Sequence, residues 1–305
     1  MTRWLKLRAS EWILLGFFGY IVFISRLFFR QAIRIGVPGG IVVGVFVLFA
    51  SLSRLERTRW EFAISRARDW IPIGLTYLAF REMELFASPA YDLHLEQACI
   101  RLDQLVLGTW HLRSAIESWG AFLPSGLEIC YFLVYGVPAY CVWLLYSTHR
   151  RADCDRFYVF YLLGTLTAYC LFPYFPSEPP RFAFPNVYAP QIHTALHSLN
   201  VSVLKSGTIH TAVFPSAHVS SVFSAAWALF ALFPKRTRYA WIAVAYAAAV
   251  SIATVYGRYH YVADVLGGFA VSLIPAALAV YQISFSPVAH DARRRDHARV
   301  ATEST

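Results

Sequence analysis

The sequence has only five cysteines, and they do not form a metal-binding pattern. Cys130, Cys141 and Cys170 lie within apolar runs, where cysteine behaves as a small hydrophobic residue. Cys99 and Cys154 stand far apart in more polar stretches. The sequence also lacks internal repeats and low-complexity tracts. We therefore predict no disulfide, no metal site and no cofactor.

Acidic residues are in the minority, with 18 Asp and Glu against 27 Lys and Arg, which gives a formal net charge of +9. The basic residues occur in short clusters between apolar runs and do not follow one polar face. Such clusters are typical of the loops that orient membrane helices, whereas nucleic-acid binding needs a continuous basic surface. The charge pattern therefore predicts no nucleic-acid partner.

Apolar residues are abundant: 57% of the chain is hydrophobic, 17% is aromatic, and the mean hydropathy is +0.47. A soluble domain of 305 residues would not need so much apolar surface for its core. The sequence predicts an all-α polytopic bundle in a lipid bilayer, with six to eight transmembrane helices and additional interfacial helices. The candidate spans are 12–28, 37–52, 70–86, 129–146, 157–175, 215–233, 239–256 and 261–283.

One polar stretch at the start of the last apolar run concentrates reactive side chains. Arg258, His260 and Asp264 fall within seven positions of Val255-Tyr-Gly-Arg-Tyr-His-Tyr-Val-Ala-Asp264. If a helix begins near Tyr259, His260 and Asp264 are separated by four residues and share one face. The spacing predicts a histidine oriented by a carboxylate.

A second histidine lies where another polar loop meets an apolar run, in Phe214-Pro-Ser-Ala-His218. Proline is tolerated at the first helical position, so Pro215 is expected to begin a helix whose N-terminal amides favour an anion. Two helix starts that each carry a histidine predict a phosphate-binding pocket.

These residues resemble the type 2 phosphatidic acid phosphatase superfamily, whose three motifs are KxxxxxxRP, PSGH and SRxxxxxHxxxD. Pro215-Ser-Ala-His218 is similar to the second motif with Ala in place of Gly, and His260 with Asp264 matches the end of the third. The resemblance implies that His260 is a nucleophile that forms a phosphohistidine, that Asp264 holds its other ring nitrogen, and that His218 protonates the leaving oxygen. Arg181, in Glu178-Pro-Pro-Arg181, is implied as the phosphate-binding residue of the first motif.

The chain also departs from the family pattern. Ala253 and Thr254 occupy the Ser-Arg positions of the third motif, and Tyr174 stands where the first motif has lysine. We expect Arg258 to supply the missing second arginine, because its planar guanidinium suits a phosphate. Ser216 is expected to add a hydrogen-bond donor. This pattern is more similar to the branch that includes inositol phosphorylceramide synthases.

Three functions remain open at this point. The first is a metal-independent lipid phosphatase that hydrolyses a phosphomonoester or pyrophosphate of a phospholipid, an isoprenoid or a sphingolipid. The second is a phosphotransferase that moves a phospho-head group onto a lipid or another hydroxyl acceptor. The third is a transporter that only binds anionic lipid, and it predicts that loss of His260 leaves activity largely intact.

The organisation expected from the sequence has three parts. Residues 1–125 form N-terminal membrane helices and an interfacial segment, 126–285 form the phosphatase-like catalytic core, and 286–305 form a basic cytoplasmic tail. The first apolar run is expected to be retained as a membrane helix. A cytoplasmic N-terminus puts most Lys and Arg inside, so the site is expected to face the periplasm, the outside or a lumen, with a bacterial inner membrane as the expected location.

Overall fold

A computed structural model describes residues 5–28, 36–86, 94–207, 209 and 211–284, and this part of the chain is an α-helical bundle. An isolated β-bridge joins Ser177 and Ala212. The α-helices in chain order are α1 (Ala9–Phe28), α2 (Gly36–Leu55), α3 (Glu61–Glu82), α4 (His94–Asp103), α5 (Leu112–Glu117), α6 (Phe122–Leu133), α7 (Val137–Ser147), α8 (Cys154–Leu171), α9 (Pro180–Ala183), α10 (Ala195–Gly207), α11 (Ala217–Leu232), α12 (Arg238–Tyr256) and α13 (Val262–Ser284). The all-α polytopic fold predicted from the sequence is confirmed.

Six helical segments of the described chain are long and apolar enough to cross a membrane, which makes this an integral membrane protein. They are Ala9–Leu27, Gly36–Leu55, Phe122–Ser147, Arg151–Tyr174, Arg238–Tyr256 and Val262–Tyr281. Two of the eight predicted spans differ from this set. The predicted span 70–86 belongs to α3, which begins earlier and carries Arg66, Arg68 and Asp69, and α11 has only 16 residues.

Helix α11 is the centre of the bundle and packs against α8, α12 and α13. Small residues allow this close packing, and the tightest approach is to α8 at Gly164. A Cβ atom there would lie 1.9 Å from the Ser224 Oγ, and the Ser220 hydroxyl donates to the Gly164 carbonyl over 2.9 Å. The start of α11, which carries the second histidine motif, is thereby fixed relative to the other core helices.

Buried ion pairs hold together the end of the bundle that lies away from the motifs. Arg68, which is 3% exposed, donates to Glu11 and Glu56, and Asp69 accepts from Arg151 over 2.7 Å. The neighbouring Arg150 donates to the carbonyl at the C-terminus of α11. Helices α1, α2, α3 and α8 are therefore joined at the end opposite the two histidine motifs.

The segment before α6, where interfacial helices are expected, packs against the core of the bundle. Residues 94–103 form α4, a π-helical turn follows at 104–109, and α5 comes next. Helix α4 packs against α13 and α9, and its Glu96 and Asp103 side chains are fully buried. It is a structural neighbour of the two motif loops.

Between the apolar runs 157–175 and 215–233, the stretch 176–213 contains the short helix α9 and the longer helix α10. Arg181 lies in α9. Helix α10 packs against α6, where the Asn200 side-chain amide donates to the Glu128 carbonyl over 2.9 Å. The predicted tail, 286–305, lies outside the described residues.

Candidate active site

The two histidine motifs meet through their backbones. The Ser216 amide donates to the Asp264 carbonyl over 2.9 Å, which connects the start of α11 to the first turn of α13. At Gly268, one turn further along α13, a Cβ atom would lie 2.3 Å from the Ser216 carbonyl oxygen. The approach of the two loops therefore requires a glycine at this position.

The histidine of the third motif precedes its helix. Helix α13 begins at Val262, not near Tyr259, so His260 belongs to the preceding loop. The fully buried Asp264 accepts from the Tyr261 amide over 2.8 Å, and the same Oδ2 lies 3.3 Å from the His260 Nδ1. The two predicted side chains are therefore adjacent. They do not share a helix face, because His260 precedes the helix and Asp264 caps its first turn.

The second motif also starts its helix differently from the prediction. Ser216, not Pro215, is the N-cap of α11, and its hydroxyl accepts from the Val219 amide over 3.4 Å. The Phe214–Pro215 peptide bond is cis. Ser216 is fully buried, so its side chain caps the helix and does not line the cavity next to His218.

The two histidines face each other and complete a chain of polar groups. The His218 Nδ1 lies 3.2 Å from the His260 Nε2, and the His218 Nε2 lies 3.3 Å from the Tyr135 hydroxyl. A carboxylate can only accept, so Asp264 favours the His260 tautomer with the proton on Nδ1. That tautomer leaves a lone pair on the His260 Nε2, on the side of the cavity.

Both histidines line a cavity of about 510 Å³. Arg181 lies in its wall, with its guanidinium 4.7 Å from the Phe182 ring centroid and 5.7 Å from that of Tyr259. Much of the remaining wall is apolar or aromatic and comes from α3, α6, α7, α8 and α10 and from the short turns that follow α6 and α8. These residues include Ile73, Tyr77, Phe80, Tyr131, Val134, Pro138, Tyr169, Phe172, Val203 and Leu204.

Arg258, like Ser216, is a predicted phosphate-binding residue that the structure places away from this cavity. Its side chain is 3% exposed, its backbone is left-handed with φ 58°, and its Nη1 donates to the Asp103 carboxylate. Its carbonyl accepts from the Arg181 amide over 3.3 Å. Arg258 therefore faces a buried carboxylate instead of the cavity where a phosphate would bind, because the left-handed turn directs it towards α4.

Several cavity residues have no counterpart in the sequence prediction. Tyr131 stacks on Tyr259 with ring centroids 4.0 Å apart, and the Tyr259 hydroxyl donates to Glu128 over 2.7 Å. Glu128 also contacts His197 at 2.8 Å and accepts from Asn200 at 2.6 Å. A carboxylate next to an apolar run is a sequence signal that could have identified this cluster, because intramembrane carboxylates need partners.

Burial, together with the charge of Arg181, lowers the pKa of His260 from 6.5 to about 3. The imidazole is therefore neutral near pH 7 and can act as a nucleophile. In the same range the neutral ring does not repel the guanidinium of Arg181.

This lowered pKa predicts a loss of stability in acid. Between pH 6.5 and 3 the unfolded chain takes up a proton at His260 that the folded chain does not. The free energy of unfolding therefore decreases as the pH falls. At pH 5 the loss amounts to about 2 kcal/mol. Thermal unfolding of the purified protein at pH 7 and pH 5 should show a smaller change for His260→Gln than for the wild type. Equal pH dependence of the two proteins would contradict the lowered pKa.

The fold and the site define a polytopic membrane protein with a paired-histidine, arginine-containing cavity. A family profile described as the PAP2 superfamily matches residues 99–278, and the chain belongs to this superfamily. No curated protein and no solved structure matches the chain significantly. The match begins within α4 and ends in α13, so it includes Arg181 and both histidine motifs.

Proposed function

We propose that this protein is a lipid phosphatase that hydrolyses a phosphomonoester or pyrophosphate of a membrane lipid through a phosphohistidine. The observation that carries the proposal is the arrangement of His260, whose Nδ1 faces Asp264 and whose Nε2 faces His218 at 3.2 Å. Nucleophile, orienting carboxylate and proton donor are thus adjacent, and the two imidazoles line one cavity.

In the proposed first step, the His260 Nε2 attacks phosphorus and the bond from phosphorus to the leaving oxygen breaks. Burial and the neighbouring His260 lower the pKa of His218 to about 3, so His218 takes up its proton when the negatively charged phosphate binds beside it. It then donates this proton to the leaving oxygen, while Asp264 stabilises the charge on the His260 ring. In the second step a water gives a proton to His218 and attacks the phosphohistidine. This step releases phosphate and restores neutral His260.

The positive charge needed at the phosphoryl oxygens is assigned to Arg181 and to the N-terminal end of α11. Arg181 lies in the cavity wall, and the first residues of α11, Ala217 and His218, line the same cavity. A helix N-terminus and a guanidinium both favour a phosphate. The apolar part of the wall suits the hydrocarbon part of a lipid.

The proposal is tested by phosphate release from a panel of phospholipid, isoprenoid and sphingolipid phosphates in detergent micelles. We expect release from at least one class by the wild type. The same assay with added hydroxyl acceptors distinguishes hydrolysis from transfer, since a transferase would form a new phospholipid product at the expense of free phosphate. Lipid binding without any turnover would support the transporter alternative instead.

Catalysis is expected to be independent of divalent metal. The described residues contain no group of three or more His, Cys, Asp or Glu that could hold a metal ion. Excess chelator should therefore leave the rate of phosphate release unchanged, and orthovanadate, which resembles five-coordinate phosphorus, should inhibit it. A rate that falls with chelator and returns only with added metal would contradict this mechanism.

We place the site at the extracytoplasmic face. Exposed Lys235, Arg236 and Arg238 lie beyond the C-terminus of α11, at the end of the bundle opposite the site, and basic loops favour the cytoplasm. In a variant without native cysteines, His193→Cys, which lies in the exposed part of 176–213, should react with an impermeant thiol reagent added outside. Lys235→Cys should react only after permeabilisation, and the reverse pattern would invert the topology.

A further inference from the structure

Helix α4 contains two buried carboxylates that reach the two loops bearing the proposed phosphate-binding and nucleophilic residues. Glu96 and Asp103 are seven residues apart, which places them two turns apart on the same face of the helix. Both side chains are fully buried. Neither residue belongs to the three family motifs.

The first carboxylate holds the loop that carries Arg181. The Glu96 Oε1 accepts from the Glu178 amide over 2.8 Å, three residues before Arg181. Within the described residues, the Glu96 Oε2 has no hydrogen-bond partner. A buried carboxylate with one unpaired oxygen reduces stability. A functional reason for Glu96 at this position is the contact of its other oxygen, which holds the Glu178 amide.

The second carboxylate holds the loop that carries His260. The Asp103 Oδ1 accepts from the Val262 amide over 2.8 Å, and its Oδ2 accepts from the Arg258 guanidinium. These contacts lie on either side of His260 in sequence. Asp103 therefore fixes the left-handed turn at Arg258 and the start of α13 at once.

The two loops are also joined to each other. The Arg181 amide donates to the Arg258 carbonyl over 3.3 Å, so a shift of the Arg258 turn is transmitted to the phosphate-binding loop. Cys99 and Ile100, between the two carboxylates, pack against Tyr261 in a small apolar cluster. Helix α4 thus contacts the nucleophile loop through both polar and apolar groups.

From this geometry we propose that Glu96 and Asp103 are positioning residues: Glu96 sets the placement of Arg181, and Asp103, through Arg258 and Val262, sets the placement of His260. This inference rests on the proposed function for its kinetic consequences. It gives Arg258 a role in the reaction that differs from direct phosphate binding.

Hydrogen exchange tests the positioning without any assay of activity. In Glu96→Met, which keeps the side-chain length and removes the acceptor, amide exchange should rise in residues 178–183. In Asp103→Leu it should rise in 257–262. Glu96→Gln retains an acceptor oxygen and should exchange like the wild type. Gln97→Met, at an exposed position of the same helix, is the matched control and should change neither segment.

Steady-state kinetics with a short-chain phosphatidic acid in micelles, or with the best substrate of the panel, tests the consequence. Glu96→Met should raise KM about tenfold with kcat nearly retained, because it loosens the substrate-binding arginine. Asp103→Leu should lower kcat about 10²-fold with a smaller change in KM, because it displaces the nucleophile. A purely structural role would lower the unfolding temperature without this division between KM and kcat.

Unchanged exchange in both segments would overturn the proposal whatever the activity. Increased exchange with wild-type kcat and KM would also overturn it, because the loops would then not need these anchors for the reaction. If the wild type released no phosphate from any lipid, the proposed function would fail separately. The exchange measurements would still decide whether α4 positions the two loops.

Discussion

Replacing His260 with alanine is expected to lower phosphate release by about 10⁶-fold, to the background rate, for every substrate that the wild type accepts. The reason is that the variant lacks the nitrogen that forms the covalent intermediate, while His218 keeps its proposed role as the acid. The His218 Nδ1 already faces the His260 Nε2 at 3.2 Å, and its other nitrogen faces Tyr135. The measurement is single-turnover release of phosphate in micelles, with His193→Ala at an exposed position as the control.

The loss in His260→Ala should affect the covalent step and leave binding intact. Arg181 and the start of α11 remain in the cavity, so the variant should still bind the lipid phosphate, as measured by ligand-induced thermal stabilisation. Asp264→Asn keeps the shape but not the charge next to the His260 Nδ1, so its activity should lie well below the wild type and above His260→Ala. Activity in His260→Ala comparable to that of the wild type would exclude the phosphohistidine mechanism and favour the transporter alternative.

The sequence was sufficient for those parts of the site that depend on short spacings. His260 and Asp264 are four residues apart, and their side chains are within 3.3 Å although the helix begins after His260. The two side chains meet because the Asp264 carboxylate points towards the start of the helix, where it accepts from the Tyr261 amide and lies beside the His260 Nδ1. Likewise, the polar-to-apolar change before His218 correctly located the start of a helix, with an error of two residues in its first position.

The parts that failed depend on contacts between distant segments. The sequence predicts Arg258 as a phosphate ligand because its guanidinium suits a phosphate and Thr254 occupies the family's arginine position, but its buried partner Asp103 is 155 residues away. Local sequence patterns do not reveal a pair of residues so far apart. They also do not predict the left-handed backbone at Arg258, which is uncommon for arginine. The buried contacts of α4 are not predicted for the same reason, since the partners of Glu96 and Asp103 lie on the motif loops, 82 and 155 or more residues away.

The number of membrane-spanning helices also could not be predicted from composition alone. Hydropathy identified the six apolar segments but also predicted a span at 70–86, in the region of α3, whose charged residues are paired at the far end of the bundle. Arg68 contacts Glu11 of α1 and Glu56 beyond α2, so its charge is neutralised by partners that precede it by 57 and 12 residues. Tertiary pairing changes the cost of burying a charge, and this change cannot be read from the local sequence.

Replacing His218 with alanine is expected to lower turnover by about 10² to 10⁴-fold, less than the loss of His260, because it removes proton donation but not the nucleophile. The size of the loss should depend on the leaving group. A lipid alkoxide departs only with a proton, whereas p-nitrophenolate departs without one, so the ratio of wild-type to variant rates should be much smaller for a p-nitrophenyl phosphate ester. Tyr135→Phe is the matched variant. It removes the hydroxyl 3.3 Å from the His218 Nε2 and keeps the ring, so it separates the contribution of this contact from that of the imidazole.

The comparison of leaving groups also assigns the two histidines without reference to the family. If His218 is the acid, activity towards the p-nitrophenyl ester is largely retained in His218→Ala and absent in His260→Ala. The assignment rests on the geometry in which Asp264 lies beside the His260 Nδ1, while both His218 nitrogens face neutral groups. Only His260 therefore has a carboxylate to stabilise the positive ring that forms during attack. Retention of p-nitrophenyl activity in His260→Ala, with loss in His218→Ala, would require the roles of nucleophile and acid to be exchanged.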